Sequence, residues 1–233
     1  MRKRTTAPEA LWRDADLGIF NKPPDVIVYD VRGGDSFLSR IQEAEPGAQV
    51  CHRLDATTSG ALLVSFSSPA QRMGTQLFEK RLVQKHYLVI CEGLPEQDNF
   101  NVDAPLLEQE RQAVTVASGG LPAQTAFSVV KRGNVGSLLT ARPHTGRYHQ
   151  IRAHLRHVGH PVMGDERYGS KRQVCVALHS AQLAFTHPVT GHAIGATAPV
   201  HQLFIRVAQR CGLSVSDVEK ALNQLKLPAP SPG

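Results

Sequence analysis

The stretch that most limits how this chain can fold is residues 51–66, CHRLDATTSGALLVSF. Its second half, ALLVSF at 61–66, is an apolar run broken only by Ser65. A run this short, bounded by a Thr57-Thr58-Ser59-Gly60 turn, reads as a buried strand. The first half places Arg53 two positions before Asp55. Polar side chains on a loop that feeds straight into the core are held by a rigid scaffold, where chemistry is commonly sited. Taken alone, the stretch reads first as a surface turn closed by a local Arg53–Asp55 ion pair. A second stretch, residues 142–169, changes that balance.

In chain order, residues 1–15 read as a loose basic arm. Its opening MRKR imitates the start of a signal peptide, but Glu9, Arg13, Asp14 and Asp16 interrupt the apolar segment such a signal needs. Short strands are predicted at 17–22 and 26–29, around Pro23-Pro24, and a helix at 36–44 ended by Pro46-Gly47. The next helix is predicted from Ser68 to about Arg81, with Ser68 as N-cap, Pro69 in the first position and Gln71 in the third. Residues 83–93 alternate as a strand carrying Tyr87, and 95–122 are irregular and polar, suited to hairpins. A hairpin of strands at 123–131 and 135–141 turns across Gly133-Asn134. A helix follows at 148–158, with Ile151 and Leu155 one turn apart, then a loop at 160–168. Strands at 174–177, 181–186 and 193–198 precede two helices at 201–211 and 216–226. Gly212 suits the residue after the first of these, and Ser216 with Glu219 forms a capping box for the second. Residues 227–233 are a proline-rich tail. With no repeat and no long linker, this order of elements is α+β with a largely antiparallel sheet, in one domain or two small lobes sharing a cleft.

Charge is unevenly placed. The chain carries a net +6, and residues 142–172 hold seven Lys or Arg against two acids, Asp165 and Glu166. That distribution points to a polyanionic partner, the alternative being a solvated basic face. Cys51, Cys91, Cys175 and Cys211 are scattered without a CxxC, which suits reduced thiols in a cytosol and not a disulfide framework. No run approaches the ~20 apolar residues of a membrane span. A cytoplasmic protein is expected.

Two motifs carry a resemblance. His52-Arg53-Leu54-Asp55 followed by Thr58-Ser59-Gly60, and HTGRYHQIRAHLRHVGHPVMGDERYG at 144–169, together resemble the RluA family of pseudouridine synthases. Weaker similarities at Asn21-Lys22-Pro23, Lys85-His86-Tyr87, Pro122-Ala123-Gln124-Thr125, Leu178-His179 and Thr186-His187-Pro188 extend it over roughly residues 17–200. One departure is Pro24-Asp25, where the family has a small, glycine-containing continuation. The resemblance implies a mixed sheet with helices and loops flanking one RNA-binding cleft, in a catalytic domain at 16–212 followed by a C-terminal helix and tail at 213–233. It implies isomerisation of uridine to pseudouridine in RNA, a reaction that calls for no cofactor. About 50 residues precede the first motif. The compact type without an extra N-terminal S4 domain is therefore expected, a monomer that recognises a stem-loop of ribosomal or transfer RNA by itself.

Roles follow from the same resemblance. Asp55 is the catalytic carboxylate, Arg152 its basic partner and Tyr87 the ring that packs on the target base. Arg53 fills the space left by the flipped nucleotide, a step costing a few kcal/mol, and His52 supports the loop. Ile151 supplies pocket wall, while Thr58 and Gln150 join the RNA-contacting set. Arg147 and Arg156, with Lys171 and Arg172, contact phosphate. The physical need for Arg152 is general, because an unpaired charge in a closed pocket is expensive. These residues also have plainer readings: Tyr87 and Ile151 as core, Arg152 as a phosphate contact or helix surface charge, and Arg156 as solvated surface. The histidines at 144, 149, 154, 157 and 160 are spaced 5, 5, 3 and 3, without an HExxH or a neighbouring Cys, so no metal site is expected. The competing function is a non-catalytic RNA-binding protein on the same scaffold.

Overall fold

The computed structural model describes residues 8–225. In chain order its elements are β1 (Ala10–Arg13), β2 (Leu17–Lys22), α1 (Phe37–Gln42), β3 (Gln49–Val50), β4 (Ser59–Ser65), α2 (Ser68–Glu79), β5 (Gln84–Glu92), β6 (Asn99–Asp103), β7 (Leu106–Gln109), β8 (Gln112–Thr115), β9 (Gln124–Arg132), β10 (Gly136–Pro143), α3 (Gln150–His157), β11 (Leu178–Thr186), β12 (Ala193–Thr197), α4 (Gln202–Arg210) and α5 (Val215–Gln224). Among the described residues, ten strands form one sheet in the order β1-β2-β4-β11-β5-β10-β9-β6, with β3 on β4 and β12 on β11. β4 and β11 run parallel, and the other paired neighbours run antiparallel. β7 and β8 form a separate hairpin. The architecture is the expected α+β class.

Alternation sorts the apolar residues onto two faces. β4 is buried along its whole length. Its Ala61 and Leu63 pack with Ala70 and Leu77 of α2, while Leu62 and Val64 pack with Phe37 and Ile41 of α1. On β5, Leu88 and Ile90 join Phe204 and Val207 of α4 and Val218 and Ala221 of α5. Val89 and Cys91 point the other way, to Ile151 and Leu155 of α3. Tyr87 packs against both the α1 and the α3 clusters. Thus Tyr87 sits where the α1 and α3 clusters meet, and the cleft opens there between the Asp55 loop, the end of α2 and the start of α3.

Several elements differ from the sequence expectation. Residues 26–29 are not a strand; the Ile27 and Val28 carbonyls accept the Phe37 and Leu38 amides, which open α1 and lack partners within it. Residues 174–177 are not a strand either; the Val174 and Cys175 carbonyls lie where a Cβ on Gly164 would be, so this segment crosses another loop. The supposed loose arm contains β1, whose Trp12 meets Phe185 edge-on at 6.1 Å; residues 1–7 lie outside the described residues. The cap of α2 is Ser67 and not Ser68, and the box of α5 is Ser214 with Asp217. Helix α5 is part of the core and not an appendage, and the tail at 227–233 lies outside the described residues. Among the described residues no helix is long and apolar enough to cross a membrane.

Candidate active site

Asp55 lies on the loop between β3 and β4, and buried groups clamp that loop from below. Lys22, at the end of β2, is 0% exposed. Its ammonium donates to the carbonyls of Pro23 at 2.9 Å, Val26 at 2.7 Å and Ala56 at 2.9 Å. A buried ammonium without a carboxylate partner needs such acceptors, and burial lowers its pKa to about 8. The lysine thereby ties the Pro23-Pro24 turn to the residue after Asp55. His52 Nε2 accepts the Leu63 amide at 3.0 Å, and its ring stacks on Phe78 at 4.1 Å. Burial, then the charge of Lys85, pushes the His52 pKa down to about 3, so the neutral ring remains an acceptor. The Asp55 carbonyl closes the turn by accepting the Thr58 amide at 3.0 Å. Gly60, at φ +107°, has the Ser180 carbonyl in the place of a Cβ, so only glycine lets β4 approach β11 here.

The partner of Asp55 arrives 97 residues later, on α3. Arg152 Nη1 donates to Asp55 Oδ2 at 2.9 Å. Its Nε and Nη2 donate to the two oxygens of Asp165 at 2.6 and 2.9 Å, a bidentate grip that fixes the guanidinium plane. Arg152 is 5% exposed and Asp165 1%, and the Arg152 guanidinium also lies 4.9 Å from the centre of the Tyr168 ring. Burial works against the Arg152 charge, but the hydrogen bonds and charges of Asp165 and Asp55 outweigh it and raise its pKa. Gly164, at φ +81°, turns the chain so that Asp165 faces inward.

A third group approaches Asp55. His149 Nε2 stands 3.6 Å from Asp55 Oδ2. Its Nδ1 is 2.9 Å from the Tyr168 hydroxyl, which already accepts the Ala113 amide at 2.7 Å. Burial pushes the Tyr168 pKa up to about 12, so its single proton goes to Nδ1. Burial, then the Arg152 charge, lowers the His149 pKa to about 3. The neutral ring therefore carries its proton on Nε2, aimed at Asp55.

These groups form one wall of a cavity of about 610 Å³ lined by His52, Arg53, Asp55, Thr58, Tyr87, Arg147, Gln150, Ile151 and Arg152, among others. Burial pushes the Tyr87 hydroxyl up to about 12, keeping the phenol neutral. Lys85 reaches in from β5, its ammonium on the Thr145 carbonyl at 3.1 Å, with its pKa lowered to about 8 by burial and then by Arg81. A small groove lined by Arg81, Lys85, Arg142 and His144 adjoins the cavity, and Phe78, Arg81, Lys85 and Pro143 border both.

Nine of the ten residues singled out from sequence border this one cavity; Arg156 does not. Its guanidinium donates to the Tyr168 carbonyl at 2.8 Å and packs against Gly169, bracing the loop that carries Asp165. Lys171 and Arg172 also lie outside the cavity lining. Gln150 borders the cavity with every hydrogen-bonding position spent: Oε1 accepts from Thr145 and Arg147, and Nε2 donates to Gln124 and Thr125. It braces the wall and has nothing left for RNA. Arg53 makes no ion pair with Asp55, whose oxygen faces Arg152 and His149 instead. Among the described residues no three His, Cys, Asp or Glu side chains are grouped to hold a metal; His154, for one, is spent on Thr125 and the Ala104 carbonyl. Sequence reasoning missed Lys22, Lys85, His149, Asp165 and Tyr168. A signal existed for Asp165, one of only two acids in a strongly basic stretch that also contains a buried arginine.

Comparison with known proteins identifies the family. The family model described as RNA pseudouridylate synthase matches residues 16–157. Ribosomal large subunit pseudouridine synthase C of Escherichia coli K12 is 34% identical over 219 residues, covering 86% of this chain and 69% of that protein. The dual-specificity RNA pseudouridine synthase RluA of Escherichia coli O157:H7 is 33% identical over 201 residues, covering 81% of this chain and 91% of that one. Among solved structures, human RNA Pseudouridylate Synthase Domain Containing 1 superposes with a TM-score of 0.76 at 25% identity, covering 98% of this chain and all of that one. The family match over residues 16–157 and relatives at 33–34% identity over most of the chain, on a mixed, mostly antiparallel sheet, place this chain in the RluA family of RNA pseudouridine synthases.

Proposed function

We propose that this pseudouridine synthase isomerises uridine in structured RNA of the large ribosomal subunit, with Asp55 as the acting carboxylate. The observation that carries the reading is the Asp55–Arg152 pair bordering a cavity walled by Tyr87 and Ile151. The reaction breaks the N1–C1′ bond of uridine, turns the base and joins C1′ to C5. The hydrogen on C5 leaves as a proton and N1 gains one, so atoms and charge balance without a further reactant. Asp55 faces the sugar and base; the Arg152 hydrogen bond holds it in orientation; the neutral Tyr87 offers a flat face to the uracil. Relatives at 33–34% identity are named for the large ribosomal subunit, which favours that RNA, and the relative named dual-specificity adds transfer RNA as the second pool to assay. The target uridine must leave its stack to reach Asp55. Arg81, Lys85, Arg142 and Arg147 form the path for the flanking phosphates. Residues 16–212 supply this machinery, acting as a monomer in the cytoplasm.

The test is release of tritium from RNA labelled at C5 of uridine, using ribosomal and transfer pools from cells lacking the gene. The wild type is expected to release tritium from the large-subunit pool, and Asp55→Ala to release none while still binding that RNA. Full turnover by Asp55→Ala would remove Asp55 from the mechanism. Binding without release from any pool would make the protein a non-catalytic RNA binder.

A further inference from the structure

Tyr148 stands between two cavity-lining residues, Arg147 and His149, yet belongs to none of the machinery above. Its ring is fixed on two sides. One face lies on the His149 imidazole, with ring centres 3.7 Å apart and planes 22° from parallel. Its hydroxyl donates to the Arg111 carbonyl at 3.3 Å, at the tip of the β7–β8 hairpin. That tip is itself held, because Arg167 donates to the same carbonyl at 2.9 Å and the Ala113 amide is bound to Tyr168. With His149 filling one face, the other meets Arg53, whose guanidinium carbon is 5.5 Å from the ring centre. Arg53 is exposed and forms no ion pair among the described residues.

A rigid aromatic face beside that cavity, covered by an exposed arginine side chain, suits a nucleobase. We propose that Tyr148 is a stacking platform for the base next to the target uridine, and that Arg53 covers this platform until the RNA displaces it. The inference rests on the reading of the site as a uridine isomerase. An exposed cation–π contact is weaker than base–aromatic stacking, so the exchange runs toward the base. Displacement also frees a cation beside the cavity just as flipping opens a gap in the RNA stack. Every base has a π-face, so the platform sets the position of the neighbouring nucleotide and leaves its identity open.

The test uses the stem-loop that the wild type isomerises, with 2-aminopurine placed on either side of the target uridine, and the variants Tyr148→Leu and Tyr148→Phe. Stacking quenches 2-aminopurine. Wild type and Tyr148→Phe are expected to quench the probe at one flanking position on binding, and Tyr148→Leu is expected not to. Loss of the stack should raise KM for the RNA about ten-fold in Tyr148→Leu, with the rate at saturating RNA unchanged and Tyr148→Phe close to wild type. The salt dependence of binding should be unaltered, because no phosphate contact is lost. Unchanged KM and quenching in Tyr148→Leu would overturn the proposal. So would a loss confined to the saturating rate, which would make Tyr148 only a support for His149. Absence of tritium release by the wild type from any RNA is a separate result; it removes the isomerase reading and this proposal with it.

Discussion

At the scale of the residue, the site is governed by how two carboxylates share one arginine. Asp165 is more deeply buried than Asp55 and holds Arg152 by two hydrogen bonds against one. It acts as the anchor and leaves Asp55 as the oxygen that faces the cavity. Asp165→Asn leaves the buried guanidinium with Asp55 alone. It should cost about 3 kcal/mol of stability, a fall in melting temperature of roughly 6–12 °C, and suppress tritium release; an unchanged melting curve would remove Asp165 from this anchoring role. Lys85 predicts a pH dependence. Its pKa in the fold, about 8, lies below the unfolded value of 10.5. The fold therefore disfavours its charged form, and this residue's contribution to stability rises as pH climbs between those values. Binding a polyanion needs the charged form instead, so KM for RNA should rise as pH passes about 8. Lys85→Arg, charged throughout, should flatten that rise. Lys22 titrates in the same window, but it clamps the Asp55 loop, so its loss belongs in the saturating rate and not in KM.

At the scale of the element, α3 and the β7–β8 hairpin decide what surrounds Asp55. Helix α3 opens at His149, a non-glycine residue at φ +49°, and this bend aims the imidazole at Asp55 while Ile151 and Arg152 follow into the cavity wall. The hairpin supplies the Ala113 amide that sets the His149 tautomer through Tyr168. Its tip, Glu110-Arg111, has both residues in the left-handed region, at φ +46° and +63°, as a tight two-residue hairpin turn demands. Such residues carry a penalty of about 1–2 kcal/mol each. The hydrogen bonds at Arg111 use its carbonyl, so Arg111→Gly should raise stability by about 1 kcal/mol in urea unfolding and leave the saturating rate intact. A loss of stability would mean that the exposed side chain holds the tip.

At the scale of the whole molecule, the charge map of the cleft differs from the charge map of the sequence. The basic stretch 142–172 looked like one phosphate-binding surface. In the fold, Arg152 and Arg156 are spent on Asp165, Asp55 and Tyr168, and Arg81 and Lys85 come from elsewhere to join Arg142 and Arg147 along the cavity and its groove. Four phosphate contacts predict that log K for RNA falls with log salt at a slope of about −2.8, from about −0.7 per contact. Arg142→Ala should reduce that slope by one contact and Arg156→Ala should not, as read from binding isotherms at several salt concentrations. A slope near zero would take the basic groove out of the binding site.

Short-range chemistry was legible in the amino-acid order. The apolar run after Gly60 became the fully buried β4. The helices appeared within a few residues of their expected ends, and the two motifs named a carboxylate and an arginine that meet 97 positions apart. Caps were misplaced by one or two residues because neighbouring serines satisfy the same local rule. Which polar groups became partners was settled by packing. Residues 26–29 and 174–177 have strand-like composition, yet their carbonyls serve the start of α1 and pack over the turn at Gly164. Lys22 acquired three acceptors from two loops, Asp165 turned inward beneath Arg152, and Arg156, one helical turn further along α3, turned away. These outcomes depend on β4 lying beside β11 and β11 beside β5, which brings the end of β2, the Asp55 loop and α3 to one cleft. A buried charge takes whatever partner that packing presents, because being left unpaired costs more than any local preference.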